Sequence, residues 1–132
     1  LKLHGGRSLV LQFDVADDLE VACESDDLSE MLGNLIDNAC RAARGRVRVH
    51  AGSVEGSTRI DIEDDGAGLD DAALAQLGQR GQRFDENAGS GLGVSISRDI
   101  AESYGGALEF ARSELGGLRA RLQLPRLHKA PC

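Results

Sequence analysis

The chain has 132 residues and a mass of 14.0 kDa, 41% of the residues hydrophobic, which suits one domain burying roughly two-thirds of its unfolded surface. Seventeen glycines beside two prolines, with no three-residue period and an ordinary aliphatic content, exclude collagen and disorder. A formal charge of −7 speaks against nucleic acid as a partner, and no apolar run approaches the ~18 residues of a membrane span.

Leu9, Leu11 and Phe13 alternate with Val10, Gln12 and Asp14, which predicts a strand, and residues 19–23 read as a second, short one. Residues 26–44 carry the strongest helical pattern. Leu28, Met31, Leu32, Leu35, Ile36 and Ala39 recur at three- and four-residue steps and make one apolar stripe. Asp27 and Glu30 have capping-box spacing, and Gly45 is expected to stop the helix. Val47, Val49 and Ala51 then alternate with Arg46, Arg48 and His50, and Ile60 and Ile62 with Arg59, Asp61 and Glu63. A turn over residues 52–57 makes these a hairpin with one solvated face.

A short helix is expected over residues 71–77, then a polar, mobile loop over 78–90. A second long helix follows over 91–104, ended by Gly105-Gly106. Residues 107–112 and 118–124 close the chain as another hairpin, with Pro125 as its stop. Hairpins with interspersed helices predict an α+β sandwich, helices covering one face of a mixed, mostly antiparallel sheet. A doubly wound parallel sheet is the alternative, but it would need repeated βα units. Cys23, Cys40 and Cys132 are odd in number and lack CxxC spacing, so neither a disulfide framework nor a zinc site is indicated. Cys40 reads as a small core residue and a reducing compartment is expected.

Three polar features remain. On the first long helix, Glu30, Asn34 and Asn38 are spaced four apart and Arg41 falls between them, opposite the apolar stripe. Asparagine is a mediocre helix former, so this arc is either a solvated face or a set of amide oxygens suited to a hard cation such as Mg2+. The strand over 58–63 runs into Asp64-Asp65-Gly66-Ala67-Gly68. That is either an acidic turn or a carboxylate accepting from an exocyclic amine, with Gly66 and Gly68 letting backbone approach a flat base. Gly89-Ser90-Gly91-Leu92-Gly93 leads into a helix, whose free N–H groups favour phosphate. Its spacing is neither the dinucleotide-binding fingerprint nor a P-loop.

Together and in this order, these elements resemble the GHKL superfamily of ATP-binding domains, specifically the catalytic domain of sensor histidine kinases. Asn34-Leu35-Ile36-Asp37-Asn38-Ala39 matches the family's N box and Asp64-Asp65-Gly66-Ala67-Gly68 its G1 box. Gly89-Ser90-Gly91-Leu92-Gly93-Val94 matches its G2 box, and Gly116-Gly117 with Leu124-Pro125 resembles its C-terminus. Gly33 to Cys40, Asp64-Asp65-Gly66 and Arg80-Gly81-Gln82-Arg83 resemble the PhoQ-type subgroup.

The resemblance implies a Bergerat two-layer α/β sandwich with about three helices on one face. Residues 1–132 would be one ATP-binding catalytic domain, with 1–7 a linker remnant and 126–132 a tail. It further implies ATP and Mg2+ as cofactors. Asn38 would ligate the metal, Asn34 would sit beside it, and Arg41, where the family usually has Lys, would touch phosphate. Asp64 would take the adenine amine in a pocket formed with Gly66 and Gly68. Gly89, Ser90, Gly91, Leu92 and Gly93 would wrap the phosphates, and residues 79–88 would form a lid from which Arg80 and Arg83 reach phosphate. The chain departs from the pattern at Ala42, where the family often has an aromatic, and at Leu77-Gly78, where its lid phenylalanine would fall; Phe84 is displaced.

Family ATPases carry a water-activating Glu at the position of Asn34. An amide is no general base, so poor hydrolysis and donation of the γ-phosphate to another group are expected. His4, His50 and His128 lack the helical setting of the family's phosphoacceptor and read as surface histidines. The implied partners are therefore the dimerisation and histidine-phosphotransfer helical domain of the same kinase and a response regulator receiver domain. No nucleic acid or direct membrane contact is expected, and the setting would be the cytoplasmic part of a bacterial inner-membrane sensor kinase. An anti-sigma-type Ser/Thr kinase, a non-catalytic nucleotide-binding module and a small ATPase are the alternatives.

Overall fold

Alternation of apolar residues builds the sheet. The computed structural model describes residues 2–3, 7–16, 19–78 and 91–126. A short antiparallel pair, β1 (Lys2–Leu3) and β2 (Arg7–Ser8), precedes β3 (Val10–Val15). The helix α1 (Ser25–Ala42) then crosses to β4 (Arg46–Val54), which lies parallel to β3. Next come β5 (Ser57–Asp64), α2 (Asp71–Gly78), α3 (Gly91–Ser103), β6 (Ala107–Arg112) and β7 (Leu118–Pro125). The five-stranded sheet has the order β3-β4-β5-β7-β6, and every pair but the first is antiparallel. One parallel pair beside three antiparallel ones confirms the mixed sandwich over the doubly wound alternative.

One face of this sheet is apolar. Val47 and Val49, Ile60 and Ile62, Leu108, and Ala120, Leu122 and Leu124 meet Met31, Leu35 and Ala39 of α1 and Ala101 of α3 in one buried cluster. Each fully buried Leu, Ile, Val or Met stabilises by roughly 1.5–3 kcal/mol relative to exposure. The three- and four-residue stripe on α1 is thereby accounted for, and Cys40 is buried in the same cluster as expected.

Several local expectations are corrected. No capping box forms, because α1 begins before Asp27, with Glu24 at the N-cap and no side-chain cap. Asp27 instead accepts the Tyr104 hydroxyl from the end of α3, and Glu30 accepts from Asn34. The helix ends before Gly45: Ala43 is already extended, at φ −66° and ψ 146°. Residues 19–23 are no strand. They are held at the start of β5 and the end of β7 by single bonds rather than a ladder, from Thr58 Oγ1 to the Glu20 carbonyl (2.8 Å) and from Ala22 N–H to the Pro125 carbonyl (2.9 Å). The first hairpin is longer than expected, since Val54 pairs with Ser57 and leaves only Glu55-Gly56 as its turn, Gly56 at φ +75°. The glycine stop after α3 forms as read: Gly105 adopts φ +80° and Gly106 N–H returns to the Ala101 carbonyl at 2.9 Å. The loop expectation for 78–90 falls, after Gly78, on residues outside those described.

Candidate functional site

Asn34, Asn38 and Ala42 follow one another at i, i+4 and i+8 along α1, about 12 Å from first to last. Gly93, in the first turn of α3, lies against Asn34: a Cβ there would meet the Asn34 Cγ at 3.5 Å. The Asn34 Nδ2 has Glu30 Oε2 at 3.2 Å, Ser97 Oγ at 3.4 Å and the Gly93 carbonyl at 3.5 Å. Two of these neighbours are pure acceptors, which fixes the amide flip and leaves Oδ1 as the open acceptor. Gly66 closes the other end of the row: a Cβ there would lie 2.2 Å from the Ala42 carbonyl oxygen. Glycine is thus required at 66 by the approach of the turn to the helix. Gly68 is required by its conformation, φ +73°.

Between these contacts stands Asn38, half-buried, whose side-chain amide has no hydrogen-bond partner among the described residues. Half-burial of both asparagines excludes a fully solvated face. Arg41 is more exposed and pairs with Asp37 at 3.1 Å across one helical turn. Such a surface pair is worth at most about 1 kcal/mol and is readily exchanged for a phosphate.

Asp64 ends β5 on the helix-facing side and is 2% exposed. Its Oδ1 accepts the Gly66 N–H at 2.8 Å and the Leu118 N–H at 3.4 Å. No donor reaches Oδ2 among the described residues. Burial pushes this carboxyl above its ordinary value, against the pull of those two N–H groups, and the neighbouring Asp65 charge adds to the rise. Asp65 does different work. Its Oδ1 accepts the N–H groups of Arg44, Gly45 and Arg46 at 2.8, 3.0 and 3.1 Å, pinning the α1–β4 corner to the end of β5. Burial would raise its carboxyl, but those donors prevail and lower it.

The three motifs therefore converge on one helix, while part of the predicted site cannot be placed: Arg80, Arg83, Gly89 and Ser90 lie outside the described residues. Gly91 and Leu92 begin α3 with Gly93 as expected. Sequence reasoning missed the β6–β7 turn, where Gly117 N–H donates to the Asp64 carbonyl at 3.1 Å and Leu118 N–H reaches its carboxylate. The Gly116-Gly117 pair was the available signal. It also misjudged His50, which is no ordinary surface histidine: its Nε2 lies 2.7 Å from Glu63 Oε2 in a network on the sheet's open face.

In comparison with known proteins, residues 23–128 match the family described as histidine kinase-, DNA gyrase B-, and HSP90-like ATPase. The sensor protein kinase CarS of Pseudomonas aeruginosa is 45% identical over 95% of this chain and 28% of its own length. The sensor protein PhoQ of Escherichia coli is 31% identical over 98% of this chain and 27% of its own. The chain thus spans under a third of these relatives. Among solved structures, the mycobacterial sensor histidine kinase MprB superposes with a TM-score of 0.75 at 25% identity, over 90% of this chain and 84% of that one. The catalytic domain of the histidine kinase ThkA gives 0.78 at 22% identity, over 89% and 79%.

Proposed function

The chain belongs to the histidine kinase-, DNA gyrase B-, and HSP90-like ATPase family, and on that premise we propose that it binds Mg-ATP and donates the γ-phosphate to a histidine on a separate helical domain. The observation that carries this is the row Asn34–Asn38–Ala42, which brings the start of α3 and the Asp64 turn to opposite ends of one helix face. A nucleotide laid along that row has its adenine amine at Asp64 and its phosphates at the N-terminus of α3, where free N–H groups and the helix dipole favour negative charge.

The donor set fits the metal. Asn38 offers an amide oxygen without a partner among the described residues, and Mg2+ takes one or two protein oxygens besides phosphates and water. Bound there, Mg2+ neutralises phosphate charge. Asn34 lines the same site and supplies no base for water. Arg41 exchanges Asp37 for a phosphate oxygen, and Arg80 and Arg83 add positive charge. In transfer, the bond from the γ-phosphorus to its bridging oxygen breaks and a phosphorus–nitrogen bond to the imidazole forms. ADP leaves and the ring proton passes to solvent.

The acceptor helix hairpin and a receiver domain are the partners this reading requires, and the relatives' names as sensor kinases support it. A cytoplasmic location, where ATP is available, goes with it; none of the described helices is long and apolar enough to cross a membrane. The test is transfer of labelled γ-phosphate from ATP to isolated helical-hairpin domains of sensor kinases mixed with this chain. Label on an acceptor histidine is expected. Brisk phosphate release without any acceptor would overturn the reading in favour of an ATPase. Asn38→Ala should abolish the Mg2+-dependent part of ATP affinity, and unchanged titration curves would remove it as the metal ligand.

A further inference from the structure

The β6–β7 turn reaches both the backbone and the carboxylate of Asp64. Gly117 N–H donates to the Asp64 carbonyl at 3.1 Å, and Leu118 N–H lies 3.4 Å from the Asp64 Oδ1. A Cβ on residue 117 would lie 2.0 Å from that Oδ1, 2.6 Å from the Asp64 carbonyl oxygen and 2.7 Å from the Gly66 nitrogen. The first atom ends a side chain and can swing away. The other two are backbone and cannot. The turn is itself fixed: Ser113 N–H bonds the Gly117 carbonyl at 2.8 Å, and Ser113 Oγ donates to the buried Glu63 at 3.0 Å. Asp64 therefore has little freedom except against a hydrogen atom at residue 117.

From this geometry we infer that Gly117 is a positioning residue for base selection: with Gly66 and Leu118 it locks Oδ1 of Asp64 onto backbone donors, so that Oδ2 is the oxygen presented to the ligand's exocyclic amine. The inference rests on the reading of Asp64 as the amine acceptor. A methyl group at 117 displaces the carboxylate from both N–H groups and turns the presented oxygen away. The consequence is a loss of discrimination between an amino and an oxo group on the purine, beyond any general loss of affinity.

The experiment measures binding of ATP and of inosine triphosphate, which carries an oxo group in place of the amine, to wild type, Gly117→Ala and Asp64→Asn. Wild type should prefer ATP by roughly 10- to 100-fold, the span of one hydrogen bond to a charged group. In Asp64→Asn that preference should be lost or reversed, and in Gly117→Ala it should fall to within about threefold of parity, over and above any general loss of affinity. A wild-type preference that survives intact in Gly117→Ala overturns the inference alone. Equal wild-type binding of the two nucleotides overturns the Asp64 reading and the inference together. If Gly117→Ala does not fold, the amide resonances of Gly66 and Leu118 in wild type decide. Both should shift on adding ATP, and resonances unmoved at saturation overturn the proposal.

Discussion

Glu63 and Asp64 are consecutive on β5, equally buried at 2% exposure, and point to opposite faces of the sheet. Their surroundings differ completely. On the open face, Glu63 Oε2 takes the Arg48 guanidinium and His50 Nε2, both at 2.7 Å, and Oε1 takes Ser113 Oγ at 3.0 Å and Glu114 N–H at 3.3 Å. Asp61 beside it is forked by Arg121, at 2.9 and 3.0 Å. Burial alone would raise the Glu63 carboxyl, yet these donors hold it at about 2. Asp64 has two backbone donors, both on one oxygen, and burial prevails. The contrast separates a carboxylate whose demand is met by its own chain from one that keeps an oxygen unfilled among the described residues, as the proposed amine acceptor requires.

The strongest way to break that contrast is Glu63→Gln. The substitution leaves the guanidinium of Arg48 with only the exposed Glu114 carboxylate, at 3.5 Å, as counter-charge, and removal of one member of a largely buried pair costs about 3 kcal/mol. Chemical denaturation should show this, while ATP affinity of the folded fraction should fall less than in Asp64→Asn, because the glutamine Oε1 can still accept from Ser113 and hold the β6–β7 turn. The acid limb gives the sign. Because the folded carboxyl lies at about 2 against an ordinary 4.5, its stabilisation is present above pH 4.5 and is lost as pH falls towards 2. That part of the acid slope should vanish in Glu63→Gln; an unchanged slope would show that the network contributes nothing.

Asp64→Asn is the converse experiment. The amide oxygen can keep the two backbone N–H bonds, so stability should fall by less than in Glu63→Gln. The nitrogen that replaces Oδ2 donates rather than accepts, and it meets a donor on the base. Calorimetry should report ATP binding weakened by about 1–3 kcal/mol. A large loss of stability with unaltered binding would place Asp64 in the same class as Glu63.

The sequence read most of this architecture because periodicity reports burial. The stripe from Leu28 to Ala39 and the alternation at Val47 and Val49 were legible, and so were the three motifs around Asn34, Asp64 and Gly93. The motif order, however, carried no information about which atom of each motif touches which. Asp64 and Asp65 are the same residue type side by side, and only their backbone donors, Gly66 and Leu118 for one and the α1–β4 corner for the other, send them to different tasks. The role of Gly117 depends on a backbone approach from more than fifty residues away, and that of His50 on Glu63 across the hairpin. Local pattern is silent on both. The corrections at residues 19–23 and at the end of α1 share this cause: tertiary hydrogen bonds from Thr58, Pro125 and Asp65 overrode weak local propensity.

The smallest test sharpens the comparison from within the same turn. Asp65 is a carboxylate one residue beyond Asp64, but its three backbone donors close the α1–β4 corner and its carboxyl is lowered rather than raised. By that measure it belongs with Glu63, as a group satisfied by the chain. Asp65→Ala should cost about 1 kcal/mol of stability, the scale of a lost capping interaction, and the stabilisation should fade in acid as the lowered carboxyl is protonated. Binding should be less affected than in Asp64→Asn, because Asp65 reaches the ligand only by holding Arg44–Arg46 beside the turn that carries Gly66. If calorimetry found the two substitutions equally damaging to ATP affinity, donor count would no longer distinguish a structural carboxylate from a binding one. If Asp65→Ala weakened ATP by only a few tenths of a kcal/mol, the unfilled oxygen of Asp64 would stand as the feature that marks the base site.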